Sequence, residues 1–208
     1  MSQQFIHSTN QKIQQANNTD NKNQYLTYHL GDELYGIDIL SIKEIIEYDD
    51  VTIVPMTPSY IRGVINLRGN VVPVADLPSL FEHTPIAITR RTCIVILEVH
   101  SDDGKYEVGM MVDSVTEVID INPDDIDPPP SFGTRVHVSC IKGMGKTDKG
   151  FVILLDPGLF LSLDELYKLA DSLERAQKKE AARADAPVSG NEGSLVDKAQ
   201  EMGTGASA

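Results

Sequence analysis

One sequence pattern occurs twice in this 208-residue chain, and that repetition constrains the fold more than any other feature. Residues 36–46 (GIDILSIKEII) align without a gap with residues 109–119 (GMMVDSVTEVI). Residues 61–76 (IRGVINLRGNVVPVAD) align in the same way with residues 141–156 (IKGMGKTDKGFVILLD). Because the two blocks follow each other in the same order in each half, the sequence predicts two similar units that share a core.

Strand signals dominate both halves. Alternating apolar residues flank the turn Arg68-Gly69-Asn70, and an Asp-Gly pair at residues 103–104 separates two β-branched runs. Short strands with a turn signal every ten or so residues are typical of an all-β barrel or sandwich. Within residues 40–48 (LSIKEIIEY), apolar residues at helical spacing predict a short helix or helical turn.

The two ends of the chain differ in character from residues 25–162, which form the predicted β domain with halves of approximately 25–85 and 86–160. Residues 1–24 are rich in Gln and Asn, and we interpret them as a disordered arm. A Ser-x-x-Glu capping box at residues 162–165 precedes leucines at helical spacing, which predicts a C-terminal helix over residues 163–184. The Ala/Gly/Ser-rich residues 185–208 are predicted to be a disordered tail.

Charge and composition exclude several functions. The chain has 31 acidic and 18 basic residues and a net charge of −13, which disfavours binding to nucleic acid or to anionic membranes. We find no signal peptide and no apolar run long enough to span a membrane, so we expect a cytoplasmic protein. Cys93 and Cys140 lie in apolar runs and are predicted to be small buried hydrophobic residues.

The sequence lacks a catalytic or metal-binding constellation. The five histidines are scattered without ligand spacing, and GMGKT at residues 143–147 lacks the first glycine of a phosphate-binding loop. Asp76, Asp113 and Asp156 stand alone at strand ends, where capping of turns is the expected role. We therefore expect a binding module without enzymatic activity, cofactor or metal.

Four segments together resemble the CheW-like family of chemotaxis adaptors: YLTYHLGDELYGIDILSIKEI, TPSYIRGVINLRGNVVPVADL, VGMMVDSVTEVI and CIKGMGKTDKGFVILLD. The resemblance covers about residues 24–162. It implies two intertwined five-stranded SH3-like β-barrels, together with short helices. It also implies a non-catalytic scaffold that couples the cytoplasmic tips of chemoreceptors to the regulatory domain of the histidine kinase CheA. The regulatory domain of the kinase is itself CheW-like, so weak self-association within array rings is implied as well. An adaptor of a non-flagellar pathway, such as pilus motility or surface sensing, is the alternative.

Arg68 is the most prominent candidate for partner binding, because it places a long cation at the tip of a hairpin. In the second repeat Asp148 takes the aligned position, which indicates that the fold itself does not require the arginine. The resemblance assigns further residues to the receptor- or kinase-binding surface. For the isoleucines and valines, ordinary core packing is the alternative, and Glu44 could instead pair locally with Arg68. The full set is Arg68, Glu44, Ile42, Ile45, Gly63, Val115 and Val118.

Overall fold

The computed structural model describes residues 3–19, 23–49, 51–81, 84–101, 104–129 and 140–160. The predicted C-terminal helix over residues 163–184 and the predicted tail over 185–208 lie outside these residues. The helices are α1 (Gln3–Thr19), α2 (Leu77–Leu80) and α3 (Pro157–Phe160). The strands are β1 (Gln24–Leu30), β2 (Glu33–Asp38), β3 (Ile42–Glu47), β4 (Ile61–Leu67), β5 (Asn70–Asp76), β6 (Cys93–Ser101), β7 (Gly104–Val112), β8 (Ser114–Asp120), β9 (Ile126–Asp127), β10 (Ile141–Thr147) and β11 (Gly150–Leu155).

The strands form two sheets, and each half of the chain contributes to both. One sheet has the order β8-β1-β2-β11-β10-β9, and the other has the order β3-β6-β7-β5-β4. The first two strands of each half therefore leave their own half and pair with strands of the other. This architecture agrees with the predicted all-β fold of two intertwined SH3-like barrels, with the two-residue β9 added to one sheet.

Strand register confirms the internal duplication. The β4–β5 hairpin pairs Ile61 with Ala75 and then shifts register before Gly63, and the β10–β11 hairpin shifts in the same way before Gly143. The parallel pairings also correspond, because β5 runs beside β7 as β11 runs beside β2. Two repeats with the same register and the same bulge are two copies of one unit.

The N-terminal segment corrects the prediction of a disordered arm over residues 1–24. Residues 3–19 form the helix α1, which packs against β3, against the helical turn Ile39–Ser41 and against β8. Three of its apolar side chains, Ile6, Ile13 and Ala16, are buried in the main core. The composition of this segment did not indicate a helix, because tertiary contacts contribute much of the stability of α1.

The predicted helical turn over residues 40–48 is also wrong in its placement. A 3-10 turn covers Ile39–Ser41, and the strand β3 begins at Ile42. A bulge interrupts the pairing of β3 with β6 between Ile42 and Glu44. Because the bulge adds one residue, Ile42 and Ile45 both point into the core although three positions separate them, which imitates helical spacing.

The main core contains residues of both sheets and holds both cysteines, and a second, smaller cluster consists of Tyr25, Ile121, Val152 and Leu154. Cys93 and Cys140 are buried, as predicted. Burial raises the pKa of the Cys93 thiol, so the thiol is protonated at neutral pH. Among the described residues, no helix is long and apolar enough to cross a membrane.

Candidate functional site

Arg68 occupies the turn that joins β4 to β5, and its backbone is held there by local geometry. Its φ of 55° lies in the left-handed region, which is uncommon for a residue other than glycine. The side-chain oxygen of Asn66 accepts a hydrogen bond from the N–H of Gly69 at 2.8 Å and closes the turn. The backbone of the arginine is thus fixed while its side chain projects from the tip, 70% exposed.

The guanidinium of Arg68 binds Glu44 through two parallel hydrogen bonds. The Nη1 atom donates to Oε1 at 2.7 Å, and the Nη2 atom donates to Oε2 at 2.8 Å. Glu44 lies on β3 and is only 15% exposed. Because β3 and β4 are opposite edges of one sheet, this ion pair brings the hairpin tip across to the other edge. The local pairing considered for Glu44 is therefore present, and it fixes the direction of the arginine.

A second ion pair of the same kind occurs in the other half of the chain, and the sequence alignment missed it. Lys149 Nζ donates to Glu117 Oε1 at 2.8 Å. Glu117 aligns with Glu44, and Lys149 stands one position after Asp148. The hydrogen bond to Glu117 and the negative charge of this carboxylate raise the pKa of Lys149. Although Asp148 takes the aligned position, the second repeat thus has a cation that pairs with the corresponding glutamate, displaced by one residue.

The two pairs differ in geometry and exposure. Lys149 is 79% exposed, Glu117 is 46% exposed, and they share a single hydrogen bond. Arg68 has a flat fork that makes paired hydrogen bonds and leaves a broad face for a partner, whereas a lysine acts as a point charge. The arginine is therefore the better of the two cations for specific recognition.

Ile42 and Ile45 are each about 1% exposed, so their side chains belong to the core. Helix α1 lies against their strand. Val115, on β8, is buried in the same core cluster, and Val118 is partly buried against it. Three of these predicted residues are therefore buried in the main core and Val118 packs against it, as the alternative of core packing describes.

Gly63 is separate from that region and has a structural reason to be glycine. It is buried on β4 with a φ of 147°. A Cβ atom at this position would lie 2.2 Å from the carbonyl oxygen of Thr52, which pairs with the neighbouring Val64. A buried backbone position offers a partner no side chain, so direct binding by Gly63 finds no support in the geometry.

The sequence analysis missed Asn10, whose side chain binds the backbone of β3. Its Nδ2 atom donates to the carbonyl oxygen of Ile45 at 2.9 Å, and its Oδ1 atom accepts the N–H of Ile45 at 2.8 Å. The amide thus substitutes for a neighbouring strand at the edge of the sheet. The spacing of Ile6, Ile13 and Ala16 was the available signal.

The isolated aspartates cap turns as predicted. Asp76 accepts the N–H groups of Ser79 and Ile86, at 3.1 Å each. Asp113 accepts the N–H of Gly31 at 2.7 Å. In the second repeat, Asp156 accepts the N–H of Gly158 at 2.9 Å. These carboxylates are engaged by backbone groups, and the described residues contain no cluster of side chains that could hold a metal ion.

Comparison with known proteins assigns the architecture to a family. The model of the CheW-like domain matches residues 24–165. The chain belongs to the CheW-like domain family. A chemotaxis protein CheW from Klebsiella aerogenes is 35% identical over 153 residues, which cover 74% of this chain and 89% of the relative. A CheW from Treponema pallidum is 33% identical over 156 residues, or 73% and 89% of the two chains.

A solved structure from the same family supports the fold. The crystal structure of the scaffolding protein TtCheW from Thermoanaerobacter tengcongensis matches with a TM-score of 0.62 and 31% sequence identity. The match covers 69% of this chain and 90% of that one. Helix α1 ends before residue 24, so it precedes the part of the chain that the family model matches.

Proposed function

We propose that this protein is a non-catalytic chemotaxis adaptor that couples chemoreceptor tips to the histidine kinase CheA. It acts in the cytoplasm and is recruited there to receptor arrays. Membership of the CheW-like family supports this function. The single observation that supports a binding site for this function is the exposed Arg68, which is oriented by its paired hydrogen bonds to Glu44.

The chemistry of this site suits recognition of another protein. The half-buried carboxylate of Glu44 holds one edge of the guanidinium, which lowers the conformational entropy that the arginine loses on binding. The remaining N–H groups and the exposed face are free to engage carboxylates or helix-end carbonyl groups of a partner. Oriented arginines of this kind are frequent hot spots in protein interfaces.

Calorimetric titration tests the proposal. The full-length protein is titrated separately with the regulatory domain of CheA and with a soluble fragment of a chemoreceptor tip. We expect micromolar binding to each. Arg68→Ala should weaken binding to at least one partner, whereas Lys149→Ala, which removes the corresponding ion pair of the other repeat, serves as the matched control. Absence of binding to both partners by the folded wild-type protein would reject the proposed function.

A further inference from the structure

Helix α1 lies where the two sheets approach each other. It contacts β3, an edge strand of the five-stranded sheet, and β8, an edge strand of the six-stranded sheet. Both strands carry residues assigned to the binding surface from the sequence: Ile42 and Ile45 on β3, and Val115 on β8. The buried side chains of α1 form one apolar cluster with these three residues. We call the surface between β3 and β8, on which α1 lies, the groove.

The contacts of α1 follow one helical face. Ile6, Ile13 and Ala16 are buried, whereas Gln11 and Gln14 on the opposite side are exposed. On the buried side, Asn10 binds both backbone groups of Ile45, and the Nδ2 atom of Asn17 donates to the carbonyl oxygen of Ile42 at 3.2 Å. The apolar residues of this amphipathic helix thus pack into the core, and its amides bind backbone groups at the edge of β3.

The sequence of α1 makes it a weak helix when it is not docked. It contains several Asn, Ser and Thr residues, which have low helix propensity, and it has no acidic residue in its first turn and no basic residue in its last. In proteins most of the stability of such a helix comes from the packing of its amphipathic face rather than from propensity. The contacts with β3 and β8 therefore contribute much of the stability of α1.

We propose that α1 is a displaceable occupant of the groove between β3 and β8, and that a helix of the chemoreceptor tip takes its place. This proposal rests on the proposed function. Glu44 lies on β3, between the two residues whose backbone α1 binds, and holds Arg68 at the adjoining hairpin tip. A helix that replaced α1 would therefore contact the strand that carries Glu44, the partner of Arg68. Only molecules in which the groove is open can bind the receptor. The apparent association constant is therefore the intrinsic one multiplied by the open fraction.

The test compares two full-length variants that carry the same new charge on opposite faces of α1. Ile13→Asp places a carboxylate at a fully buried position and should undock the helix. Gln14→Asp places it at the neighbouring exposed position and is the control. Asn10→Ala, which removes only the two hydrogen bonds to Ile45, is a milder second variant should Ile13→Asp fail to fold.

Hydrogen–deuterium exchange provides the readout that is independent of function. The amide of Ile45 donates to Asn10, so we expect its exchange to accelerate in Ile13→Asp and not in Gln14→Asp. Unchanged protection of Ile45 in a variant with a disrupted α1 contact would overturn the proposal that α1 covers this edge.

Titration with the soluble chemoreceptor-tip fragment provides the second readout. If α1 closes the groove in nine of ten molecules, undocking should tighten binding by roughly tenfold, whereas Gln14→Asp should bind as the wild type does. Equal binding by wild type and Ile13→Asp, with Ile45 deprotected, would retain the adaptor function and reject the exchange. If neither the wild type nor any variant binds the fragment although Ile45 is deprotected, two statements are rejected. The groove then does not bind a receptor helix, and the protein does not bind the receptor as the proposed function requires.

Discussion

Replacing Arg68 with alanine removes both hydrogen bonds to Glu44 and leaves the hairpin backbone in place. The pair is partly screened, because Arg68 is 70% exposed. Exposed ion pairs contribute about 0.2–1 kcal/mol, and the paired geometry places this one near the upper end of that range. For a chain of this size, a loss of about 1 kcal/mol lowers Tm by roughly 2–4 °C.

Arg68→Gly separates the loss of the cation from the strain of the turn. The φ of 55° costs alanine as much as arginine, whereas glycine adopts it freely. We expect Arg68→Gly to be about 1 kcal/mol more stable than Arg68→Ala and close to the wild type. Both variants should lose partner affinity to the same extent, by about tenfold or more, because both lack the guanidinium.

Thermal denaturation and calorimetric titration of the two variants check this reasoning together. A Tm lowered by more than about 8 °C in both variants would exceed what an exposed ion pair contributes, and would assign the arginine to the stability of the fold. Wild-type affinity for both partners in both variants would refute the role of Arg68 in binding.

Three further predictions concern the rest of the fold. Lys149→Ala should leave the midpoint of urea titrations unchanged, because it removes one solvent-exposed ion pair at the surface. Gly63→Ala should destabilise by about 3 kcal/mol or more in the same assay, since its Cβ would collide with Thr52, whereas Gly69→Ala, with open space around it, should cost about 1 kcal/mol. Burial raises the pKa of the Cys93 thiol, so the native state keeps this proton after the unfolded chain has lost it, and stability should decrease as the pH rises above about 9. Cys93→Ala should show a shallower decrease in urea titrations between pH 8 and pH 10; an identical slope in the variant would contradict this assignment.

The strands and their duplication were predictable because their signals are local. Alternation of apolar residues and the turn residues at Arg68 and Gly69 specify a hairpin whatever surrounds it. The second ion pair was not predictable from aligned positions, because Lys149 reaches Glu117 from one residue further along a turn. Side-chain reach, rather than sequence register, decides such a contact.

Helix α1 shows where local reasoning fails. Its Asn- and Gln-rich composition resembles that of a disordered segment, and the spacing of its few apolar residues is a weak signal without knowledge of what they pack against. The stabilising contacts come from β3 and β8, which the sequence places far away. For the same reason the sequence left open whether Ile42 and Ile45 face a partner or the core, and the structure buries both in the main core together with residues of α1.

The most direct test of the adaptor function is reconstitution of kinase control. Membranes that contain a chemoreceptor are combined with CheA, with and without this protein, and autophosphorylation is measured before and after addition of the receptor's ligand. We predict that the kinase rate depends on the ligand only when the wild-type protein is present, and that Arg68→Ala reduces this dependence. A rate that is insensitive to the ligand in the presence of folded wild-type protein, with a cognate adaptor restoring control in the same membranes, would contradict the account.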